Sequence, residues 1–140
     1  MTNNEKFEGF AQKLINENEN KFGKEIREQY GDEVVNRSNA SLKEKTKEQF
    51  EDIEVIRVEY EGLLKAAGAS GIQGDNMAQR AVELHGEWLS FYNPSFSKEY
   101  HIAMREMYTQ DERFRSYYEN IVTGGAAFLK KAIEEYYKTH

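Results

Sequence analysis

The chain has 140 residues, 39% hydrophobic and 31% charged, and its 25 acidic against 19 basic side chains leave a net charge of −6. That length fits one domain able to bury about two-thirds of the surface its unfolded form exposes. The absence of Cys excludes disulfide frameworks, thiolate metal clusters and thiol nucleophiles, and predicts a cytoplasmic protein.

Nucleic-acid phosphates demand a basic face, so an acidic chain is not expected to contact DNA or RNA by itself. No stretch of 18 apolar residues is present, and the start MTNNEKFEGF lacks the basic and apolar runs of a signal peptide, so neither a membrane span nor export is expected. Charges of both signs are interspersed and read as solvated helix faces. Aromatic residues are uneven: nine of the 18 fall between Trp88 and Tyr118.

Apolar residues recur at intervals of three and four, which predicts an all-α fold. From Asn4 to Tyr30, Phe7, Phe10, Leu14, Phe22, Ile26 and Tyr30 suggest one weak helix or two pieces, with Gly31 as a C-cap. Glu33 to Asn39 is too polar to assign. Thr46 with Gln49 three residues on is a capping-box pattern, and it opens a helix whose stripe is Phe50, Ile53, Ile56, Tyr60, Leu63 and Ala67, ending at Gly68.

Asp75 is a suitable N-cap for the next helix, with Met77, Ala81, Leu84, Trp88 and Phe91 on one face and Ala78, Val82, His85, Leu89 and Tyr92 on an adjoining one. Pro94 breaks the chain. A helix then starts near Ser95 or Ser97 with Tyr100, Met104, Met107 and Tyr108, and Thr109 with Glu112 forms a second capping-box pattern before Phe114, Tyr117, Tyr118 and Ile121. Thr123-Gly124-Gly125 precedes a last amphipathic helix carrying Phe128, Leu129, Ala132, Ile133, Tyr136 and Tyr137. The expectation is five to seven crossed helices, with no sustained heptad seam.

Catalytic and metal motifs find no support. Neither His85 nor His101 has Glu three residues before it, no His-Glu-x-x-His occurs, and the phosphate-loop and Gly-x-Ser-x-Gly patterns are absent. A lone helical His such as His85 reads as a packing residue before a haem ligand. No enzymatic activity, metal or cofactor is expected.

The Trp88–Tyr118 cluster has two readings, core filling and a ligand cleft. The polar tips of Trp and Tyr suit a partly wet pocket, and Met77, Met104 and Met107 would supply adaptable walls. Phe91, Tyr92 and Phe96 flank the Pro94 break, where they cannot all point inward. Gly86, costly in mid-helix, predicts close approach of a neighbouring helix or a ligand.

The run His85-Gly-Glu-Trp88-Leu-Ser-Phe91-Tyr92, then Lys98-Glu-Tyr-His101-Ile-Ala-Met-Arg-Glu-Met107-Tyr108, Asp111-Glu-Arg113-Phe114 and Gly125-Ala-Ala-Phe128-Leu-Lys-Lys-Ala132-Ile133 resembles the TipAS antibiotic-recognition domain. Tyr30-Gly31 and the Phe50 helix fit the same family, so the similarity spans nearly the whole chain. The resemblance implies a globin-like, haem-free single domain over residues 1–140, with mobile helices in 1–40 and a core holding the ligand cleft in 46–140. It implies non-enzymatic binding of bulky hydrophobic or macrocyclic antibiotics such as thiopeptides, as the effector-sensing part of a MerR-type transcriptional activator. DNA and RNA polymerase would then be reached only through a fused regulator half. Some relatives capture the drug through a Cys after the Trp/Phe-Tyr motif. Here that loop is Asn93-Pro94-Ser95-Phe96-Ser97, so binding would be non-covalent.

The site residues expected on this basis are Trp88, Phe91, Tyr92 and Phe96 as stacking walls, Met104 and Tyr108 opposite, and His85 or His101 for a directed hydrogen bond. The alternatives are a stand-alone, drug-sequestering resistance protein and a helical protein-interaction domain with no small-molecule ligand.

Overall fold

The structure is a computed structural model that describes residues 12, 13, 15–17, 24, 28 and 31–140. Every regular element among them is α-helical. The helices expected between residues 4 and 30 lie outside the described residues, apart from the seven positions just named, all of which are helical.

The helices with full bounds are α1 (Asp32–Glu44), α2 (Lys47–Ser70), α3 (Asn76–Tyr92), α4 (Lys98–Gln110), α5 (Glu112–Ile121) and α6 (Gly125–Tyr136). The segment too polar to assign is therefore helical. It buries only Val35 and Leu42, and Asp32 and Glu33 in its first turn suit the positive end of the helix dipole. Gly31, expected as a C-cap, stands directly before α1 at φ +86°.

The Thr46 capping box forms as expected: Thr46 N–H donates to Gln49 Oε1 at 2.8 Å and Gln49 N–H to Thr46 Oγ1 at 3.2 Å. α2 does not end at Gly68. It continues to Ser70, and Gly71 at φ +75° ends it, donating its N–H back to the Ala67 carbonyl. Along α2 the buried stripe is Phe50, Ile53, Tyr60, Leu64 and Ala67, so Leu64 takes the inward place expected of Leu63.

Asp75 caps α3 through Ala78 N–H at 2.8 Å, and Met77 at the start of that helix is exposed. Between Ser95 and Ser97, the latter caps α4, accepting from Tyr100 N–H at 3.1 Å. The second capping box does not form. α4 runs through Thr109, whose hydroxyl donates to the Glu106 carbonyl, and Asp111 caps α5 instead, accepting from Arg113 N–H at 3.0 Å. Before α6, the Glu119 carboxylate accepts from the N–H groups of Gly124 and Ala126, a cap delivered by the preceding helix.

The residues cluster into two units, Met1–Ile53 with Ser90–Ser95, and Glu54–Leu89 with Phe96–His140. In the first, Ile15, Leu42 and Phe50 form a buried cluster joined by half-buried Phe91 and Tyr92, and Arg37 hydrogen-bonds Ser95. Phe91 meets the edge of Phe50 with ring centroids 5.2 Å apart, and the Lys45 ammonium lies 5.1 Å from the Phe91 centroid. In the second, α4, α5 and α6 pack on one another around Met104, Tyr108, Tyr118, Phe128, Leu129 and Ile133. Among the described residues no helix is long and apolar enough to cross a membrane.

Candidate functional site

The inward face of α3 is made of small and branched residues, Ala78, Ala81, Val82 and Leu84, which let neighbouring helices come close to His85 and Gly86. A Cβ at Gly86 would stand 3.3 Å from the Phe96 ring tip and 3.7 Å from the His101 ring. The glycine is there for close approach, as its cost in mid-helix predicted.

His85 and His101 are both fully buried, and they form a chain. Tyr118 OH lies 2.8 Å from His85 Nε2, His85 Nδ1 lies 2.9 Å from His101 Nε2, and His101 Nδ1 lies 2.7 Å from Tyr137 OH. A neutral imidazole has one N–H and one acceptor nitrogen, so with both rings neutral the three bonds run head to tail in either direction. Burial holds the His85 pKa well below its usual value, reinforced by the neighbouring His101, and burial lowers His101 to about 4. All four ring nitrogens therefore have partners inside the protein, and none is left for a ligand in this conformation.

Around this chain stands an aromatic shell. Tyr60 meets His85 edge-on with centroids 5.3 Å apart, and Tyr108 and Tyr118 pack against each other at 5.0 Å. Half-buried Trp88 leans on Tyr60 and lies parallel to Tyr117, the planes 1° apart and the centroids at 6.2 Å. Tyr117 is fixed by its hydroxyl, which donates to Glu61 Oε1 at 2.6 Å and lies 2.5 Å from Tyr60 OH. The other Glu61 oxygen accepts from Arg57 at 2.8 Å, and Arg57 also bridges to Glu54. Burial raises the pKa of both phenols, with the Glu61 carboxylate adding to the shift at Tyr117, so both stay protonated at neutral pH.

The surface beside Tyr117 is recessed. A groove of about 450 Å³ runs between α2 and α5, lined by Val58, Glu61, Gly62, Lys65, Tyr117, Asn120 and Ile121.

Of the expected site residues, His85, Trp88, Phe96, His101, Met104 and Tyr108 belong to the second unit, whereas Phe91 and Tyr92 belong to the first. Trp88, Phe91, Tyr92 and Phe96 are half-buried, and the other four are buried. The expected site residues left out Tyr60, Tyr117, Tyr118 and Tyr137, although Tyr117 and Tyr118 fall within the Trp88–Tyr118 aromatic cluster. The available signal was that each is a tyrosine on an apolar stripe, where a buried hydroxyl needs a partner. Among the described residues no group of three or more His, Cys, Asp or Glu is placed to hold a metal ion.

The family model of the TipAS antibiotic-recognition domain matches residues 22–136. A curated relative, the HTH-type transcriptional activator mta of Bacillus subtilis (strain 168), is 26% identical over 135 residues, covering 95% of this chain and 51% of its own length. The chain thus spans about half the length of the curated relative it matches. No solved structure matches.

Proposed function

The chain belongs to the TipAS antibiotic-recognition domain family, and from that premise we propose that it is the effector-sensing domain of a MerR-type transcription regulator, binding bulky apolar antibiotics such as thiopeptides. The observation that carries this reading is the family match over residues 22–136 together with a relative that is a transcriptional activator. With no Cys in the sequence, capture is non-covalent. DNA and RNA polymerase are met only by a fused regulator half, and the setting is the cytoplasm.

The half-buried aromatic residues suit direct contact. Trp88 and Phe96 in one unit are half-buried, and so, separately, are Phe91 and Tyr92 in the other, which leaves each pair partly accessible to an apolar molecule. Met104 and Tyr108, being buried, back such contacts. His85 and His101 hold the cluster in place instead of reaching the ligand, because their nitrogens are already bonded. Binding signals by favouring one of two arrangements of the domain, which requires different affinities for them.

The test is a panel of thiopeptides and other hydrophobic antibiotics against the folded chain, read by thermal shift and by emission of Trp88, the single tryptophan. A compound present at 100 times its Kd stabilises by about 2.7 kcal/mol, enough to raise Tm by several degrees. Such a shift with altered Trp88 emission is expected for at least one compound. Silence across the panel overturns the antibiotic reading and favours a protein-interaction domain.

A further inference from the structure

Helix-interior glycines are rare because Gly is the poorest helix former after Pro, so each one calls for a structural reason. Gly68 and Gly86 have one: a Cβ at each would press on Val122 and Phe96 respectively. Gly62 has none. It sits in the middle of α2, its φ is not in the left-handed region, and nothing lies within 4 Å of where its Cβ would be. What Gly62 does is floor the groove between α2 and α5, where any side chain would fill the space.

We propose that this groove is a binding site for an aromatic or alicyclic molecule bearing one acidic group. The apolar body would lie on Gly62 between Val58, Ile121 and the Tyr117 ring, with the acidic group at Lys65 and Asn120. None of the residues assigned to the antibiotic lines this groove, so the site goes beyond that reading.

The electrostatics select the charge. Glu61 is the acidic group of the groove, but both of its oxygens are taken, one by Tyr117 and the other by Arg57. Among the described residues neither the Lys65 ammonium nor the Asn120 amide has a partner, so the unmatched charge in the groove is positive and an N–H donor lines the same groove. The chain as a whole carries −6, which repels a bare anion at a distance. An anion is held only if an apolar body brings it in.

The walls fit that body. Val58 is 60% exposed, an apolar surface open to water on the groove edge. Tyr117 is locked by Glu61 and Tyr60 and backed by Trp88, so the groove is formed before the ligand arrives. A volume of about 450 Å³ is in the range of small-molecule sites.

The probe is 8-anilinonaphthalene-1-sulfonate, which carries two aromatic units and one sulfonate, titrated into the folded chain at pH 7. Saturable binding of one molecule is expected, with energy transfer from Trp88. Gly62→Leu fills the groove and should weaken binding at least tenfold with helicity unchanged, and Lys65→Glu should weaken it at least fivefold. The uncharged N-phenyl-1-naphthylamine should bind native protein more weakly and ignore Lys65→Glu. No binding to the native chain, or equal binding to Gly62→Leu, overturns the proposal. If an antibiotic binds while the sulfonate does not, the groove fails and the sensor reading stands. If the sulfonate behaves as expected and the antibiotic panel is silent, the groove stands and the antibiotic reading fails.

Discussion

His85 Nδ1 lies 2.9 Å from His101 Nε2, with a tyrosine hydroxyl closing each end of the pair. Two imidazoles that titrate near pH 6.5 in water are thereby held neutral, since charging His85 places a cation among Tyr60, Trp88, Tyr108 and Tyr118, charging His101 places one beside Phe96 and Tyr137, and among the described residues no carboxylate is bonded to either ring. The chain gives the core a directional polar element that an all-apolar filling would lack.

The pair fixes the acid response. Because burial depresses both pKa values in the folded state, the unfolded chain binds more protons below pH 6.5, and stability falls as pH drops from 6.5 towards 4. Each histidine contributes a slope of up to about 1.4 kcal/mol per pH unit, so the pair should cost about 2–4 kcal/mol by pH 5. Carboxylates titrate mostly below that window. Urea unfolding at pH 7, 6 and 5 measures the loss, and ring NMR signals of both histidines should keep their neutral values down to pH 5. A stability that is flat from pH 7 to 5 contradicts buried neutral histidines.

The α4–α5 junction supplies a second prediction. Asp111 accepts from Arg113 N–H at the start of α5, while Thr109 lies inside α4. Asp111→Ala should therefore cost about 1 kcal/mol, the usual loss of an N-cap, and Thr109→Ala should change stability by less than about 0.5 kcal/mol. Urea midpoints of the two variants decide it. The reverse order would restore the capping box that begins at Thr109.

These particulars show where sequence reasoning reaches. The Thr46–Gln49 box, the Asp75 cap and the break at Pro94 are local chemistry, and local chemistry is legible in order along the chain. The α4–α5 junction offers two cap candidates two residues apart, and only the extent of α4 chooses between them. α1 looks unassignable because its helix needs just two buried side chains. In the site, His85 and His101 stood out singly, but their bond spans 16 residues and two helices, and the tyrosines that finish it lie on segments further on. Aromatic density is visible in composition, whereas which ring stacks on which depends on helix crossings that no period encodes. Gly62 was invisible for another reason: a residue with no side chain leaves no mark on an apolar stripe.

The glycines provide the sharpest comparison, because one substitution should change sign from site to site. Gly62→Ala adds a methyl group to open space in a helix, and Ala is favoured over Gly there by about 1 kcal/mol, so the variant should melt higher. At Gly86 the same methyl group meets the tip of Phe96 at 3.3 Å, and the gain in helix propensity should be offset by a small shift of that ring. At Gly125 it runs into the Tyr118 carbonyl, which is backbone in the last turn of α5 and cannot swing aside. Overpacking there should cost about 1–3 kcal/mol, and it would also move the helix that carries Tyr118 OH to His85. The expected order of Tm is Gly62→Ala above native, Gly86→Ala near native and Gly125→Ala well below it, read by differential scanning calorimetry. A destabilised Gly62→Ala would mean that the groove floor is packed, contrary to the geometry described.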